Sequence, residues 1–258
     1  MTHVNKPTVA FFDFTSCEGC QLTVIDTLQT NPELLDVVEI VEFREAMSEK
    51  SDAYDIAFIE GSCTRASDED RLRDIRARSG VVVALGACAH LGGVNAIRNR
   101  QRLPEVRQYV YGQQADWFET YEPRAIEAVI EVDGVVPGCP IDGYEFQRVV
   151  TALLQGRSPE TPDYPVCVEC KLDENICLYQ LGQVCLGPIT CAGCKAICPA
   201  YGVGCDGCRG LIPNPQIDQL REVMAEHGLS TAEIDSKLTI FLTNQLVQWE
   251  SQEKAHVS

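Results

Sequence analysis

The sequence is poor in histidine, in basic residues and in long apolar stretches, and each shortage excludes a class of protein. Its 258 residues contain four histidines, and 21 lysines and arginines stand against 38 aspartates and glutamates. The net charge of −17 disfavours binding to nucleic acid or anionic membrane, because both require clustered positive charge. The longest apolar stretch, residues 81–89, falls far short of the roughly 18 residues that a membrane helix needs.

The amino terminus also lacks the basic start, apolar stretch and small-residue cleavage site of a signal peptide. We therefore predict a cytoplasmic protein that binds no nucleic acid and inserts into no membrane.

Cysteine is the residue that this sequence has in excess. There are 14 cysteines, nine of them within residues 167–208. In a reducing compartment a disulfide framework is not expected, and isolated core thiols would explain only a few of these residues. Thiolate ligation of metal is the remaining economical explanation. The scarcity of histidine then leaves all-cysteine zinc sites or iron–sulfur clusters.

The first part of the chain alternates strand patterns with helix patterns. Strands are predicted over 8–14, 37–43, 55–60, 81–85 and, more weakly, 132–136. Helices are predicted over 21–29, 67–79 and 144–155, the second of them opened by a capping box of Ser67 and Asp70. This alternation predicts an α/β fold with a parallel sheet flanked by helices, resembling flavodoxin.

A proline-rich linker over 156–166 separates this part from the rest of the chain. We expect residues 1–156 to form the flavodoxin-like domain and residues 157–258 to form a small, loop-rich iron–sulfur domain with helices at its end. Residues 167–208 show no convincing helix or strand period, so metal is expected to hold them together. Helices are predicted over 217–226 and 230–248, the second with a Ser230–Glu233 capping box.

Four of the five cysteines in the alternating region form a spread-out set, and each lies in a loop that follows a predicted strand. They are Cys17, Cys20, Cys88 and Cys139. Because the carboxyl ends of parallel strands meet at one edge of an open sheet, three loops would bring these thiolates together. Unrelated core thiols, or a thioredoxin-like redox pair at Cys17 and Cys20, are the alternatives. Glu18 and Glu60 also lie near strand ends and are candidates for handling protons.

The nine later cysteines fit more than one metal pattern. The spacing from Cys191 through Cys194 to Cys198, followed by proline, matches the end of a bacterial ferredoxin motif. Pairing Cys191 and Cys194 with Cys205 and Cys208 would instead form a zinc ribbon. Iron–sulfur ligation uses more of the cysteines, and the spacing leaves zinc open.

Together these motifs resemble the small, electron-transferring subunit of nickel–iron hydrogenases over nearly the whole chain. The motifs are SCEGCQ at 16–21, GACAHLGG at 86–93, PGCP at 137–140 and a later block containing PVCVEC, CLGP, AGC and GCRG. That block looks closest to the delta subunit of soluble, cytoplasmic sulfhydrogenases. The first three motifs are also similar to the homologous subunit of respiratory complex I, which lacks the later block and normally has two adjacent cysteines in place of CxxC.

The resemblance implies three 4Fe–4S clusters, each held by four cysteines. The implied ligands are Cys17, Cys20, Cys88 and Cys139 for a proximal cluster, Cys194, Cys198, Cys205 and Cys208 for a medial cluster, and Cys167, Cys170, Cys177 and Cys185 for a distal cluster. Cys63 and Cys191 are left over, although ferredoxin-like spacing alone would make Cys191 a ligand.

The function that the resemblance implies is an electron relay with no catalytic residue of its own. Hydrogen would be split or formed in a nickel–iron large subunit, and electrons would pass to a diaphorase or another subunit with iron–sulfur or flavin groups. The alternatives are an iron–sulfur subunit of a complex-I-like or quinone-linked oxidoreductase and, from another class, a zinc-stabilised binding module.

Overall fold

The computed structural model describes residues 6–257, with side chains through residue 252, and this part of the chain forms five strands and ten α-helices. The strands are β1 Thr8–Asp13, β2 Glu39–Phe43, β3 Tyr54–Glu60, β4 Ser79–Leu85 and β5 Gly134–Val136. The helices are α1 Gly19–Thr30, α2 Leu34–Val37, α3 Ala66–Arg78, α4 Gly86–Leu91, α5 Leu103–Tyr111, α6 Gly143–Leu154, α7 Val166–Leu172, α8 Ile197–Ala200, α9 Ile217–Glu226 and α10 Thr231–Val257. Over the same residues, no helix has both the length and the apolar character needed to cross a bilayer.

All five strands lie parallel in one sheet, in the order β2-β1-β3-β4-β5. This is the flavodoxin-like strand order, and it places the topological switch point between β1 and β3. The α/β fold predicted from the sequence is therefore confirmed. The two least regular strands are shorter than expected, since β2 begins after the short helix α2 and β5 begins only at Gly134.

The aromatic residues of β1 show why both faces of the sheet need cover. Phe11 stacks on Phe43 and Phe58, with ring centroids 4.4 and 5.1 Å apart, in a core that includes residues of α1 and α6. The next residue, Phe12, lies in a second core with Leu72 of α3. Because side chains alternate along a strand, apolar residues at successive positions require helices on both sides.

The capping box predicted for the last helix is confirmed. The Ser230 N–H donates to Glu233 Oε2 at 2.8 Å, and the Glu233 N–H donates to Ser230 Oγ at 3.4 Å. The helix that follows, α10, continues past the expected end at residue 248 as far as Val257.

The capping box predicted at Ser67 and Asp70 is wrong. The helix begins one residue earlier, at Ala66, and neither predicted residue caps it. Instead the buried carboxylate of Asp68 accepts a hydrogen bond from the Thr64 N–H at 3.0 Å. The contact across the preceding turn, rather than the local sequence pattern, determines where this helix starts.

The cysteine-rich segment is more regular than expected, because it contains the short helices α7 and α8. Its apolar residues Leu186 and Ile189 are fully buried against α9 and α10, in a core with Ile217, Leu238 and Leu242. Helices of four to seven residues are too short to show a clear sequence period. The segment thus has apolar packing as well as its cysteines to hold it.

Helix α10 reaches back to the first part of the chain. Asn244 Nδ2 donates to the carbonyls of Leu91 and Pro123 at 3.0 and 3.1 Å, and Asn244 Oδ1 accepts from Asn99 Nδ2 at 2.8 Å. These bonds fix the last helix against the turn that follows Cys88. The division at residue 156 stays a prediction, with α10 packed across it.

Candidate metal centres

Four thiols converge at the carboxyl edge of the sheet, and we call this group the proximal site. Cys17 precedes α1, Cys20 lies in its first turn, Cys88 lies in α4 directly after β4, and Cys139 follows β5. The pKa of the Cys88 thiol is raised to about 12, first by burial and then by the charges of Cys139 and Cys17. The pKa of Cys20 is also raised by burial, by Glu60 and by its thiol neighbours. These are the four cysteines that the sequence predicts to meet at one edge of the sheet.

Two glycines leave the space that the proximal thiols occupy. Gly86 has φ +82°, and a Cβ there would lie 2.3 Å from Cys20 Sγ. Gly93 has φ +53°, and its Cβ would lie 2.8 Å from Cys88 Sγ. A side chain at either position would therefore displace a thiol, in addition to the strain of a positive φ.

Glu60 fixes the backbone of the proximal site. Its carboxylate is buried and accepts hydrogen bonds from the N–H groups of Cys20 at 3.2 Å and Gln21 at 3.0 Å. Burial raises the pKa of Glu60, and these N–H groups act in the opposite direction. Glu18 is different, because it lies near the surface and pairs with Arg44 at 2.7 Å. The contact of Glu60 with the first turn of α1 is a role that the sequence did not reveal.

A second group of four thiols lines a cavity of about 300 Å³, and we call it the medial site. Its cysteines are Cys194, Cys198, Cys205 and Cys208, and Cys139 of the proximal site also lines the cavity. The pKa of Cys208 is raised to about 12 by burial, with further increases from Cys194 and Cys198. A larger cavity of about 690 Å³ lies along α6 and the linker, but no cysteine lines it. The smaller cavity is thus lined by several thiols, which the larger one lacks.

The remaining group, the distal site, lies between α7 and the following turns. It consists of Cys167, Cys170, Cys177 and Cys185. Burial raises the pKa of Cys167 to about 11, with further contributions from the other three thiols. The Gly187 N–H donates to Cys185 Sγ at 3.4 Å. Backbone donors of this kind stabilise negative charge on sulfur.

Backbone N–H groups join the three sites in order. Cys139, in the proximal site, lines the same cavity as Cys208 of the medial site, and its backbone N–H acts against burial by lowering the pKa of the Cys208 thiol. The N–H of Cys205, in the medial site, donates to Cys185 Sγ of the distal site at 3.2 Å. The three sites therefore form a row with direct contacts at both junctions.

Two cysteines lie apart from these groups. Cys63 is fully buried, and its Sγ lies 2.9 Å from the Tyr121 hydroxyl. The thiol of Cys191 donates to the Leu211 carbonyl at 3.2 Å, and Cys191 does not line the medial cavity. The sequence interpretation left out the same two residues, although ferredoxin-like spacing favoured Cys191.

The sequence reasoning also missed a buried ion pair beside the medial site. Arg209, directly after Cys208, pairs with both carboxylate oxygens of Glu145 at 2.6 and 2.8 Å, and both side chains are almost inaccessible to solvent. Removing one partner of such a pair leaves the other charge buried, which costs about 3–5 kcal/mol of stability. The only sequence signal was an arginine within the GCRG motif.

The spacing of the thiols helps to distinguish a single metal ion from an iron–sulfur cluster as the bound cofactor. Among the described residues, no three Cys, His, Asp or Glu side chains come close enough together to hold a single metal ion. A zinc ion needs four sulfurs at about 2.3 Å from one centre. In a four-iron cluster each cysteine binds a different iron, so the ligands stand further apart around a larger volume. Three groups of four thiols, one lining a cavity of about 300 Å³, fit such clusters.

Comparison with known proteins adds a family and several relatives. Residues 17–153 match the family described as NADH ubiquinone oxidoreductase, 20 Kd subunit. The chain is 38% identical to sulfhydrogenase 2 subunit delta of Pyrococcus furiosus over 232 residues, which cover 89% of this chain and 97% of that protein. It is 30% identical to a vhu subunit of the F420-non-reducing hydrogenase of Methanocaldococcus jannaschii, covering 90% and 92% of the two chains.

Among solved structures, the chain resembles a subunit of an NAD+-reducing [NiFe]-hydrogenase in the H2-reduced state. The TM-score is 0.55 at 28% identity, and the match covers 61% of this chain and 96% of that chain. The likeness therefore covers nearly all of the shorter protein and leaves part of this chain without a counterpart in it.

Proposed function

The chain belongs to the NADH ubiquinone oxidoreductase 20 Kd subunit family, in which it is a hydrogenase small subunit, and on this premise we propose that it relays electrons through three 4Fe–4S clusters. In a cytoplasmic complex it would connect the nickel–iron site of a large subunit with an acceptor subunit, a diaphorase or another iron–sulfur or flavin protein. The clusters would supply one-electron transfer, and this chain would hold them in place. The relatives favour a hydrogenase over a complex-I-like assembly, because the hydrogenase matches include the cysteine-rich part.

The observation that carries the proposal is the row of three groups of four thiols. Proximal, medial and distal sites follow one another, with Cys139 beside Cys208 and Cys205 beside Cys185. Electron transfer between fixed groups requires that they lie close together and do not move. The hydrogen bond from Cys205 to Cys185 holds the medial and distal sites together, and Cys139 of the proximal site shares the medial cavity.

The exposure of the cysteines is compatible with partner subunits at both ends of the relay. Each site has at least one exposed cysteine, whereas Cys20, Cys185 and Cys205 are buried. The exposed cysteines are Cys17 and Cys139 in the proximal site, Cys198 in the medial site and Cys177 in the distal site. The two ends of the row would thus be open to partner subunits. We propose that the large subunit covers the proximal end and the acceptor subunit covers the distal end.

Analysis of the anaerobically purified complex tests the proposal. We expect about twelve iron and about twelve sulfide ions for each copy of this chain. We also expect a broad absorption band at about 400 nm that decreases when H2 reduces the clusters. A nickel-containing large subunit should copurify. A preparation that contains zinc and no sulfide would contradict the relay and favour the zinc-stabilised binding module, whereas iron–sulfur clusters in a complex without nickel would favour the complex-I-like alternative.

The assignment of medial ligands makes a separate prediction within the same cysteine block. Cys198→Ala is expected to remove about four iron ions, or to leave an incomplete cluster, since a cubane loses one of its ligands. Cys191→Ala, the matched control, should retain the full iron content because its thiol is bonded to the Leu211 carbonyl and lies outside the medial cavity. Iron loss in Cys191→Ala, with retention in Cys198→Ala, would reverse the assignment in favour of ferredoxin-like ligation.

A further inference from the structure

A single buried arginine is bonded to the loops of two different sites. Arg209 Nε donates to the Ala192 carbonyl at 2.7 Å, and Arg209 Nη1 donates to the Pro137 carbonyl at 3.1 Å. Ala192 lies two residues before Cys194 of the medial site, and Pro137 lies two residues before Cys139 of the proximal site. The guanidinium therefore connects the two loops that form the junction between these sites.

Glu145 holds this guanidinium in one orientation. The carboxylate is buried on α6 and accepts two parallel hydrogen bonds, a geometry that lysine cannot reproduce. The turn before Cys194 is shaped around the pair. Gly193 has φ +113°, and a Cβ there would lie 2.2 Å from Arg209 Nη2 and 3.1 Å from Glu145 Oε1.

The positive member of the pair is the one that faces the medial site. Arg209 lines the medial cavity together with Cys194 and Cys208, whereas Glu145 does not. A charge that is buried at a fixed position acts more strongly on its neighbours than one that is screened by water. Reduction adds an electron to a cluster, so a nearby cation favours the reduced form and raises the reduction potential.

We propose that Arg209, held in position by Glu145, raises the reduction potential of the medial cluster. The potential would be lower if a neutral side chain stood in place of Arg209. The same contacts hold the medial loop against the proximal loop. This inference rests on the proposed function, since it concerns the group that the medial cysteines would bind.

The two partners of the pair should shift the potential in opposite directions, which damage to the fold would not do. Arg209→Gln removes the cation. We expect the equilibrium constant for one-electron reduction of the medial cluster to fall at least tenfold, which is a shift of about 59 mV to lower potential. Glu145→Gln leaves the cation without its counter-charge, and we expect a shift to higher potential. The measurement is a redox titration of the purified complex monitored by electron paramagnetic resonance.

The medial signal is identified by its alteration in the Cys198→Ser complex. Arg221→Gln is the control for loss of an arginine, because Arg221 pairs with Asp218 and Glu250 nearer the surface, and it should leave the medial potential unchanged. If a single variant does not assemble, Arg209→Gln/Glu145→Gln buries no unpaired charge and should show a smaller shift to lower potential.

The outcomes separate the two proposals. Absence of cluster signals in the unmodified complex overturns the proposed function. If the signals are present, equal potentials in the unmodified and variant complexes, or shifts of the same sign in both single variants, overturn the role of Arg209 and leave the relay intact.

Discussion

Replacement of Cys139 by alanine is expected to reduce H2-dependent dye reduction by about 100-fold or more, since even residues that only orient metal ligands cost about 10–100-fold when changed. Cys139 is the cysteine at the junction of two sites, because its thiol lies with the proximal group and its N–H faces Cys208. The variant should lose about one third of the iron of this chain. The large subunit should retain nickel, because its metal ligands are not altered.

Cys63→Ala is the matched control for this prediction. Cys63 is another cysteine near the carboxyl edge of the sheet, but it is buried, and its thiol contacts the Tyr121 hydroxyl and none of the proximal thiols. The control should therefore keep the full iron content and near-normal dye reduction. Normal electron transfer by Cys139→Ala, or equal iron loss in both variants, would contradict the assignment of the proximal site.

Replacement of Gly86 by alanine is expected to be the second most damaging change, although it removes no ligand. A Cβ at this position would lie 2.3 Å from Cys20 Sγ, so the thiol must move by about 1 Å or more to reach ordinary van der Waals distance. We expect incomplete iron loading at the proximal site and a loss of activity of about 10–100-fold, as for other changes that disturb the orientation of ligands. Iron analysis and dye reduction measure both effects.

Gly228→Ala separates this steric effect from backbone strain. Gly228 has φ +88°, close to the φ of +82° at Gly86, but a Cβ there meets no atom within 4 Å. The control should therefore lose only about 1–2 kcal/mol of stability from the left-handed conformation. Thermal unfolding should report that loss while iron content stays normal. Equal iron content in the two variants would show that Cys20 adapts to the added methyl group.

The sequence predicted the parallel sheet correctly because strands and helices depend on short-range patterns. That the four proximal cysteines hold one cluster stays a prediction. Continuous apolar runs such as residues 81–85 identify strands that are covered on both faces, and alternation with helices makes the sheet parallel. Once the strands are parallel, the loops that carry Cys17, Cys88 and Cys139 must meet at one edge. No knowledge of side-chain packing was needed for this step.

The sequence failed to predict helix starts and packing contacts where a residue from a distant segment supplies the hydrogen-bond partner. Asp68 takes the Thr64 N–H at the start of α3, which no local capping pattern indicated. Glu60 caps α1 from a neighbouring strand, and α10 packs against the first part of the chain through Asn244. Each contact joins residues whose spacing in the sequence contains no information about their distance in space.

By itself the sequence determined the parallel α/β architecture, and from that architecture it predicted that the first four cysteines meet and bind metal. The spacing of the nine later cysteines left their grouping open, and only the tertiary structure shows that the thiol of Cys191 is bonded to the Leu211 carbonyl and that Cys205 lies beside Cys185. It also placed Arg209 and Glu145 together beside the medial cavity. The physical reason is that spacing along the chain limits which thiols can be neighbours, while the packing of loops and helices selects among the arrangements that spacing allows.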